Sequence, residues 1–434
     1  MPPAARAPRR RWRSGSESAP QPVAWPLADS PETTPSPELT VHFTGRTGPL
    51  FRLSVKTLLL TLVTLGLYRF WMKTRLRRWY WSAIRPGGDP IEYTGQPIEK
   101  LIGFLIAVCI LAFYLAIVNL FLMFASLAIF KSNAVAYLAS FGGTIPILFY
   151  AQYRARRYVL ARTRWRGVRF GLRPAAWRYS GVALWQWVTV IASLGLLWPR
   201  KTFTLEKFVT DRTAFGSAEL RQGGHWRMLI PAASHMLIGV VFTVLTILAA
   251  IEMDAEQAAL GNYFVTTPFW FLLFLTIPYA VFGIIYYGAA ATRIMAERKS
   301  AGPIGLTSAI RPAKIVRIYA LGYGAILLAI TPIFSGLSYI TFLLTPFDDM
   351  EPPPFVEAIP EPVITAALVV LYFLLFLVWS ALTHIFITMP KIRHYAETLT
   401  VTGANTLDRV SQKARDDFAE AEGFAEALDL GAAI

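Results

Sequence analysis

The chain has 434 residues, of which 55% are hydrophobic and 16% are charged, and its mean hydropathy is +0.45. Soluble domains carry about 25% charged residues and have no interior large enough for this much apolar surface, so the composition excludes a soluble fold and predicts a multi-pass membrane protein. The formal net charge of +15 is confined to particular loops. We therefore attribute the positive charge to the orientation of the protein in the membrane and to contacts with anionic lipid. No nucleic-acid partner is expected.

Cysteine and histidine are scarce. The chain has one cysteine, Cys109, and five scattered histidines, which excludes a disulfide within the chain and argues against a metal or haem site. The sequence also lacks a phosphate-binding loop, a nucleophile elbow and a zinc motif. We therefore expect no cofactor, no metal, no catalytic residues and no enzymatic activity.

The two ends of the chain lack apolar periodicity. Residues 1–38 are rich in Pro, Ser and Arg and predict a disordered basic tail, whereas residues 408–434 predict an acidic cytoplasmic tail. Residues 39–407 form the predicted single membrane domain. It opens at Leu39–Val55, where polar and apolar residues alternate around a Gly-x-x-Gly turn and predict a short β-hairpin.

Six apolar runs reach the roughly 20 residues that a membrane-spanning helix needs. Two further runs, Leu58–Tyr68 and Val182–Trp198, are shorter. The predicted fold is an all-α polytopic membrane protein with about six full spans, two short segments and short cytoplasmic β-pieces. The six long runs are Leu101–Phe130, Ala134–Tyr153, Leu229–Ile251, Pro268–Ala291, Ile318–Pro346 and Val363–Met389.

The loops between the runs fall into a basic class and an acidic class. Residues 154–179 hold nine arginines and no acid, whereas residues 345–362 hold five acids and no base. The positive-inside rule places the basic loops and both termini in the cytoplasm of a bacterial inner membrane, and it groups the long runs into three outward hairpins. The two short runs lie between basic loops, so we predict that each is re-entrant or interfacial and enters and leaves on the cytoplasmic side.

A short pattern recurs along the chain. Leu65–Leu67 and Leu194–Leu196 are both Leu-Gly-Leu, 129 residues apart. Basic and aromatic residues, a glycine and a β-like piece follow, which favours an internal repeat. The alternative, that every cytoplasmic helix end is basic and aromatic, stays open. The predicted β-pieces are Ile91–Tyr93, Val168–Phe170, Ala218–Leu220 and Asn405–Leu407.

The block from Phe43 to Trp81 resembles the opening block of the YjgN-like family of bacterial inner-membrane proteins, whose function is unknown. The shared residues include a Phe-x-Gly strand and a Leu-Gly-x-Tyr run that is followed by tryptophan. A second block, Arg157–Phe170, is also similar, although Arg166 stands where the family usually has asparagine. The resemblance covers roughly Val41 to Thr406. It implies a polytopic inner-membrane protein and brings no catalytic residue and no substrate.

Three polar residues lie within apolar runs, namely Asn119, Gln186 and His235. Such residues either hydrogen-bond between helices or contact a transported solute, and the sequence leaves both open. No run carries an acidic residue near its centre, which disfavours coupling to protons or sodium ions.

The basic loops carry the candidate contacts for anionic lipid headgroups or for a partner. The alternative is that these arginines only determine the orientation in the membrane. Two functions are open: a transporter or channel for a small solute, and a non-transport protein that binds anionic lipid or supports envelope assembly. A homo-oligomer is compatible with either. The candidate contacts are Arg75, Arg77, Arg78, Arg154, Arg156, Arg157 and Arg162.

Overall fold

The computed structural model of the chain describes residues 38–131, 133–260, 268–344 and 359–412. The predicted basic tail and most of the predicted acidic tail lie outside these ranges. The helices are α1 (Thr47–Val63), α2 (Arg69–Ala83), α3 (Pro97–Phe113), α4 (Asn119–Phe130), α5 (Asn133–Ala161), α6 (Ala176–Ala192), α7 (Trp198–Thr210), α8 (Ile230–Ala259), α9 (Pro268–Ala296), α10 (Pro312–Leu344), α11 (Glu361–Thr383) and α12 (Met389–Glu397). One-turn π-helical segments join α3 to α4 and α11 to α12.

Four helices in the described part of the chain are long and apolar enough to cross a membrane. They coincide with α8, α9, α10 and the continuous helix formed by α11 and α12, and they support a membrane protein. The other two predicted spans, Leu101–Phe130 and Ala134–Tyr153, are also helical and fall in α3, α4 and α5. They are not among the four, so a total of six spans stays a prediction.

Short strands connect the helices. Within the described residues they are β1 (Leu39–Phe43), β2 (Ile84–Pro86), β3 (Ile91–Tyr93), β4 (Thr163–Trp165), β5 (Val168–Leu172), β6 (Thr213–Phe215), β7 (Ala218–Glu219), β8 (Arg221–Gln222), β9 (Lys299–Ala301), β10 (Ile304–Ser308) and β11 (Leu399–Thr402). Three of the predicted β-pieces are therefore found, in β3, β5 and β7.

Each helical hairpin begins and ends in two neighbouring antiparallel strands. β1 and β2 enclose α1–α2, β3 and β4 enclose α3–α5, and β5 and β6 enclose α6–α7. β8 and β9 enclose α8–α9, and β10 and β11 enclose α10–α12. The strand orders are β2-β1-β11-β10-β9-β8 and β3-β4-β5-β6-β7. Because β2 leads directly into β3 and β7 into β8, the two sheets together form a nearly continuous circuit, which we call the strand ring.

The strand ring has its own apolar core. Leu39, Trp165 and Phe215 are buried there and come from both sheets. A segment after β11, Ala404–Gln412, packs against this core and is called the plug. Its apolar contacts come from Ala404, Leu407 and Val410.

The plug also hydrogen-bonds to the far side of the ring. The Ser217 amide donates to the Ser411 carbonyl at 2.9 Å, and the Arg169 amide donates to the Gln412 side-chain oxygen at 2.9 Å. The plug therefore connects the end of β11 to the β5–β6 region.

Two local predictions were wrong. Asn405–Leu407 is not a strand but part of a 3-10 helix, because Gly403 adopts φ +73° and turns the chain out of β11. The predicted β-hairpin at Leu39–Val55 is also absent from the structure of that stretch. Only β1 forms, and α1 begins at Thr47. The alternation was too short to outweigh a helical period, in which Leu50, Ser54 and Leu58 are buried on one face.

Both short apolar runs contain a chain reversal. Leu58–Tyr68 ends α1 and leads into α2, and Val182–Trp198 ends α6 and leads into α7. Leu50, near the start of α1, packs against Tyr80, near the end of α2, so the two helices are antiparallel. Each run thus turns back toward the strand ring. That it enters and leaves the membrane on the cytoplasmic side stays a prediction. Its depth in a bilayer remains a prediction.

Candidate lipid-contacting site

Two helical hairpins carry the same turn at positions 129 residues apart. We call Thr64–Tyr68, between α1 and α2, tip 1, and Ser193–Leu197, between α6 and α7, tip 2. Leu65 and Leu194 have φ values of +48° and +51°, and the glycines that follow them have +92° and +90°. A glycine adopts such angles freely, and a leucine rarely does. The two tips therefore share an unusual backbone.

The hydrogen bonds of the two tips also correspond. The glycine amide of each tip donates to the carbonyl five residues earlier, that of Thr61 in tip 1 (2.7 Å) and that of Val190 in tip 2 (2.8 Å). The hydroxyl of the first tip residue, Thr64 or Ser193, accepts from the amide of the last, at 2.9 and 3.1 Å. These polar groups are therefore satisfied within the turn, which leaves the tip surface to its apolar side chains.

The leucines of both tips point away from the protein. Leu65 is 93% exposed and Leu194 is 88% exposed, and the second leucine of each tip, Leu67 or Leu196, is exposed as well. Each hairpin therefore ends in a small apolar surface that no described part of the chain covers.

An arginine, a tyrosine and a tryptophan stack on one another where tip 1 ends and α2 begins. The Arg75 guanidinium carbon lies 5.5 Å from the centre of the Tyr68 ring, and that ring stacks on Trp71 at 6.0 Å. Arg75 is exposed. A cation beside amphipathic aromatic rings is typical of the headgroup level of a membrane.

The same three residue types meet at the junction of α5 and α6. Arg154 donates to the Tyr150 hydroxyl at 3.1 Å, and its guanidinium carbon lies 5.6 Å from the centre of that ring. Tyr150 packs on Trp177 at 4.6 Å, and Trp177 is 67% exposed. Arg154 directly follows the apolar run that ends at Tyr153. We call these two groups the Arg–Tyr–Trp stacks.

Three other predicted arginines make contacts inside the protein. Arg77 is only 7% exposed and donates to the Tyr93 hydroxyl at 3.2 Å. Arg78 and Arg157 donate to main-chain carbonyls at 2.8 and 3.2 Å. These contacts join helices to the loops and strands beside them, so these three arginines stabilise the fold.

Arg162 forms an ion pair. Its Nη2 atom lies 2.9 Å from Glu99 Oε2, which also accepts a hydrogen bond from the Tyr158 hydroxyl at 2.9 Å. The pair joins the start of α3 to the chain that leaves α5, and it therefore closes the base of that hairpin.

Arg156 belongs to a network around Glu206, which lies in α7. Glu206 pairs with Arg156 at 3.4 Å and with Lys299 of β9 at 2.6 Å. Burial on its own would raise the pKa of Glu206, but the charges of both cations and their hydrogen bonds outweigh it and lower the pKa to about 2. The carboxylate is therefore ionised at neutral pH and links three helical hairpins.

Replacing Glu206 by Gln is expected to reduce stability by roughly 1–3 kcal/mol at pH 7, because Arg156 and Lys299 lose their common partner. Since the folded state depresses the pKa, this stabilisation is present above pH 4.5 or so and is lost as the pH falls toward 2. The thermal midpoint of the variant should therefore lie below that of the wild type at pH 7, and the difference should shrink below pH 4.5 and disappear only as the pH approaches 2.

Glu297→Gln is the matched control. Glu297 pairs with Arg293 on the surface of α9 at 3.9 Å, and exposed pairs of this kind contribute little. An equal shift in both variants at pH 7 would contradict the role of the Glu206 network.

The three polar residues predicted within apolar runs are not gathered into one described site. Asn119 begins α4, and its side chain lies outside the described part of the structure. Gln186 is buried in α6, and its Oε1 atom has no hydrogen-bond partner among the described residues. His235 lies on an exposed side of α8, where its Nδ1 atom is 3.1 Å from the Tyr279 hydroxyl.

Sequence reasoning missed Lys201. This residue is largely buried in α7, with its Nζ atom 3.9 Å from the centre of the Trp187 ring and 3.2 Å from that of Trp198. The 129-residue offset aligns Lys201 with Met72 of the tip 1 hairpin, so the repeat gave no signal for a cation at this position. A cation contacts an aromatic ring close to each tip: Arg75 contacts Tyr68 at tip 1, and Lys201 contacts Trp198 at tip 2.

Within the described ranges, no three His, Cys, Asp or Glu side chains meet in a way that could hold a metal ion. An open cavity of about 560 Å³ lies between β1 and the plug, and its lining includes His42, Arg166 and Asp408. Arg166 is already paired there with Asp89 at 2.7 Å and with Asp408 at 3.9 Å. The arginine of this lining is therefore already paired with carboxylates.

A family model described as "Bacterial protein of unknown function (DUF898)" matches residues 38–427. The match runs from β1 to beyond the plug and covers most of the chain. It agrees with the resemblance in pointing to a bacterial family without a known function, and the YjgN-like name stays a prediction. No curated protein and no solved structure matches the chain.

Proposed function

The chain belongs to this bacterial family of unknown function, and we propose that it is a non-transport inner-membrane protein that binds anionic phospholipid headgroups at its cytoplasmic face. The observation that carries the proposal is the pair of Arg–Tyr–Trp stacks. Each presents an arginine for a phosphate and an aromatic surface for the interfacial part of a lipid.

Orientation follows from the charges. The strand ring lies at the basic ends of the hairpins, and the positive-inside rule places it in the cytoplasm together with both chain termini. We propose six spans in three hairpins, with the tip 1 and tip 2 hairpins as two copies of an internal repeat. The equivalent φ angles and hydrogen bonds of the tips support this repeat.

The helices leave much apolar surface for lipid. In each of the four long spans, only 11% to 22% of the residues of the most apolar window are buried within the chain. A bundle that encloses a solute pathway within one chain would bury more. The open surface suits a protein that many lipids contact, and it also leaves room for a homo-oligomer.

Replacing Arg75 and Arg154 together by Gln is expected to weaken binding of cardiolipin or phosphatidylglycerol about 10- to 30-fold, because each charge near an anionic headgroup contributes about 1 kcal/mol. Binding would be measured on the purified protein in neutral detergent by titration with fluorescent lipid. Inorganic phosphate in a parallel titration would show whether the site requires the lipid or only its phosphate.

Arg156→Gln with Arg162→Gln is the control, since it removes the same charge from two arginines whose guanidinium groups are already paired with carboxylates of the chain, Glu206 and Glu99. Lipid binding should stay within about twofold of the wild type, while the thermal midpoint falls. If the control pair loses as much lipid as the test pair, net charge rather than the Arg–Tyr–Trp stacks binds the lipid.

Transport of a small solute is the second candidate. The observation that favours it is Gln186, whose buried Oε1 atom has no partner among the described residues and could accept a hydrogen bond from a solute. Metabolite profiles of cells that lack the protein would test it. Accumulation of one solute, reversed by the wild-type chain and not by Gln186→Leu, would support transport.

A further inference from the structure

We propose that tips 1 and 2 are wedges that insert their leucines into the acyl-chain layer of the leaflet next to the strand ring, just beyond its headgroups. The proposal goes beyond headgroup binding and does not depend on it. It rests on backbone conformation, exposure and charge at the two tips.

The first argument is the cost of the leucine conformation. Leu65 and Leu194 occupy the left-handed region, which is unfavourable for leucine and readily adopted by glycine or asparagine. Neither side chain gains packing within the protein to offset that cost, because both are almost fully exposed. An apolar phase outside the protein would offset it by removing the side chain from water.

The second argument is that the turn leaves little polar surface at its end. The tip glycine amides and the Thr64 and Ser193 hydroxyls bond within their own turns. Insertion into hydrocarbon requires this, since an unsatisfied backbone group there is costly. The same solution occurs twice in the chain, at the same offset.

The third argument sets the depth. Arg69 and Arg75 follow tip 1 closely, and Arg200 follows tip 2, whereas Lys201 beside it is largely buried against Trp187 and Trp198. Long basic side chains reach the headgroups from a short distance only, so cations this close exclude tips at the centre of the bilayer. The leucines then lie in the outer part of the acyl layer, with the cation–aromatic contacts at the headgroups. Because Trp177 of the second Arg–Tyr–Trp stack precedes Leu194 by 17 residues, or about 25 Å along a helix, α6 must run obliquely to the bilayer normal for both to hold. A lipid leaflet can cover both tips in this way at once.

Depth can be measured with a fluorophore. Cysteines introduced as Leu67→Cys or Leu196→Cys in a Cys109→Ser background would be labelled with NBD, and the protein placed in phosphatidylcholine–phosphatidylglycerol nanodiscs. We expect a nitroxide at acyl carbon 5 of the lipid to quench the NBD fluorescence at least three times as strongly as aqueous iodide does. A nitroxide at carbon 12 should quench it less than the nitroxide at carbon 5. Ser82→Cys, at the exposed end of α2 near the strand ring, is the control and should be quenched mainly by iodide.

Iodide quenching at residues 67 and 196 equal to that at residue 82 would overturn the proposal, because the tips would then lie in water. Stronger quenching at carbon 12 than at carbon 5 would overturn the shallow depth. So would labelling of either tip cysteine by an impermeant maleimide from the periplasmic side of intact cells, since the hairpin would then cross the membrane.

The double variant Leu65→Asn and Leu194→Asn tests whether the leucines are needed for membrane insertion or for folding. Asparagine suits the left-handed region, so the thermal midpoint in detergent should be unchanged or higher. Quenching of the residue 67 label by the carbon 5 nitroxide should fall at least twofold. A midpoint lowered by more than about 5 °C would show that the leucines serve the fold, and unchanged quenching would show that they do not set the depth. Either result would contradict the wedge.

Discussion

Truncation of the chain after Gly403 is expected to lower the thermal midpoint of the detergent-solubilised protein by about 10 °C. The deletion removes Ala404, Leu407 and Val410 from the core of the strand ring, together with three hydrogen bonds that join the plug to Arg169 and Ser217. Partial burial of three apolar side chains and these bonds amounts to roughly 3–5 kcal/mol. The exposed core should also bind an apolar dye such as ANS.

Truncation after Gln412 is the matched control, because it keeps the plug and removes only residues 413–434. Its midpoint should lie within about 2 °C of the full chain, and it should not bind ANS. If both truncations are equally destabilised, the residues beyond the plug stabilise the protein and the plug contacts do not. If neither is destabilised, the strand ring is stable without the plug.

The positions of the helices could be predicted because the bilayer requires long apolar segments. Over the described residues, all eight apolar runs fall within helices or the turns that join them. The two short runs, which are flanked by basic loops, contain the two tips. Charge and length thus carried enough information to predict where the chain reverses. They did not give the φ angles of the tip leucines.

Three strands of the strand ring could be predicted, in β3, β5 and β7, but its closure could not. The strands have two to five residues, which is too short for a recognisable alternation. The closure pairs β1 with β11, where Leu39 lies opposite Val401. No local pattern indicates a contact between residues so far apart in the chain.

The roles of individual arginines were also beyond the sequence. Arg75 and Arg77 are two residues apart on α2 and looked equivalent, but two residues correspond to about 200° of rotation on a helix. Arg75 is exposed and contacts Tyr68, whereas Arg77 is buried and donates to Tyr93. Without the neighbours of α2, the lipid-facing side could not be distinguished from the internal one.

Arg166 adopts an unusual conformation for an arginine. It has φ +48° and Gly167 has φ +76°, in the two-residue turn between β4 and β5. Asparagine tolerates this conformation better than arginine does. Here the side chain reaches Asp89 at 2.7 Å, and this contact offsets part of the backbone cost.

The second large effect is expected at Gly283, where α8 and α9 approach most closely. A Cβ atom at Gly283 would lie 2.6 Å from Met236 Cα, and one at Gly239 would lie 2.7 Å from Ala280 Cα, so main-chain atoms of both helices leave no space for side chains. Gly283→Leu should separate the helices and disrupt the cluster around Met236 and Tyr287. We expect a loss at or above the upper end of the roughly 1–3 kcal/mol typical of an overpacked core, because the obstructing atoms belong to the backbone of α8. We also expect a lower yield of folded protein; thermal unfolding and size-exclusion chromatography measure the two effects.

Gly288→Leu tests whether the effect belongs to the contact or to any bulky residue in α9. Gly288 lies in the same helix, and a Cβ atom there would meet nothing within 4 Å. Leucine has a higher helix propensity than glycine, so this variant should be as stable as the wild type or slightly more stable. The smaller change Gly283→Ala should fall between the two, since one methyl group already meets backbone atoms. Equal losses at residues 283 and 288 would mean that lipid or another chain, and not α8, packs against this helix.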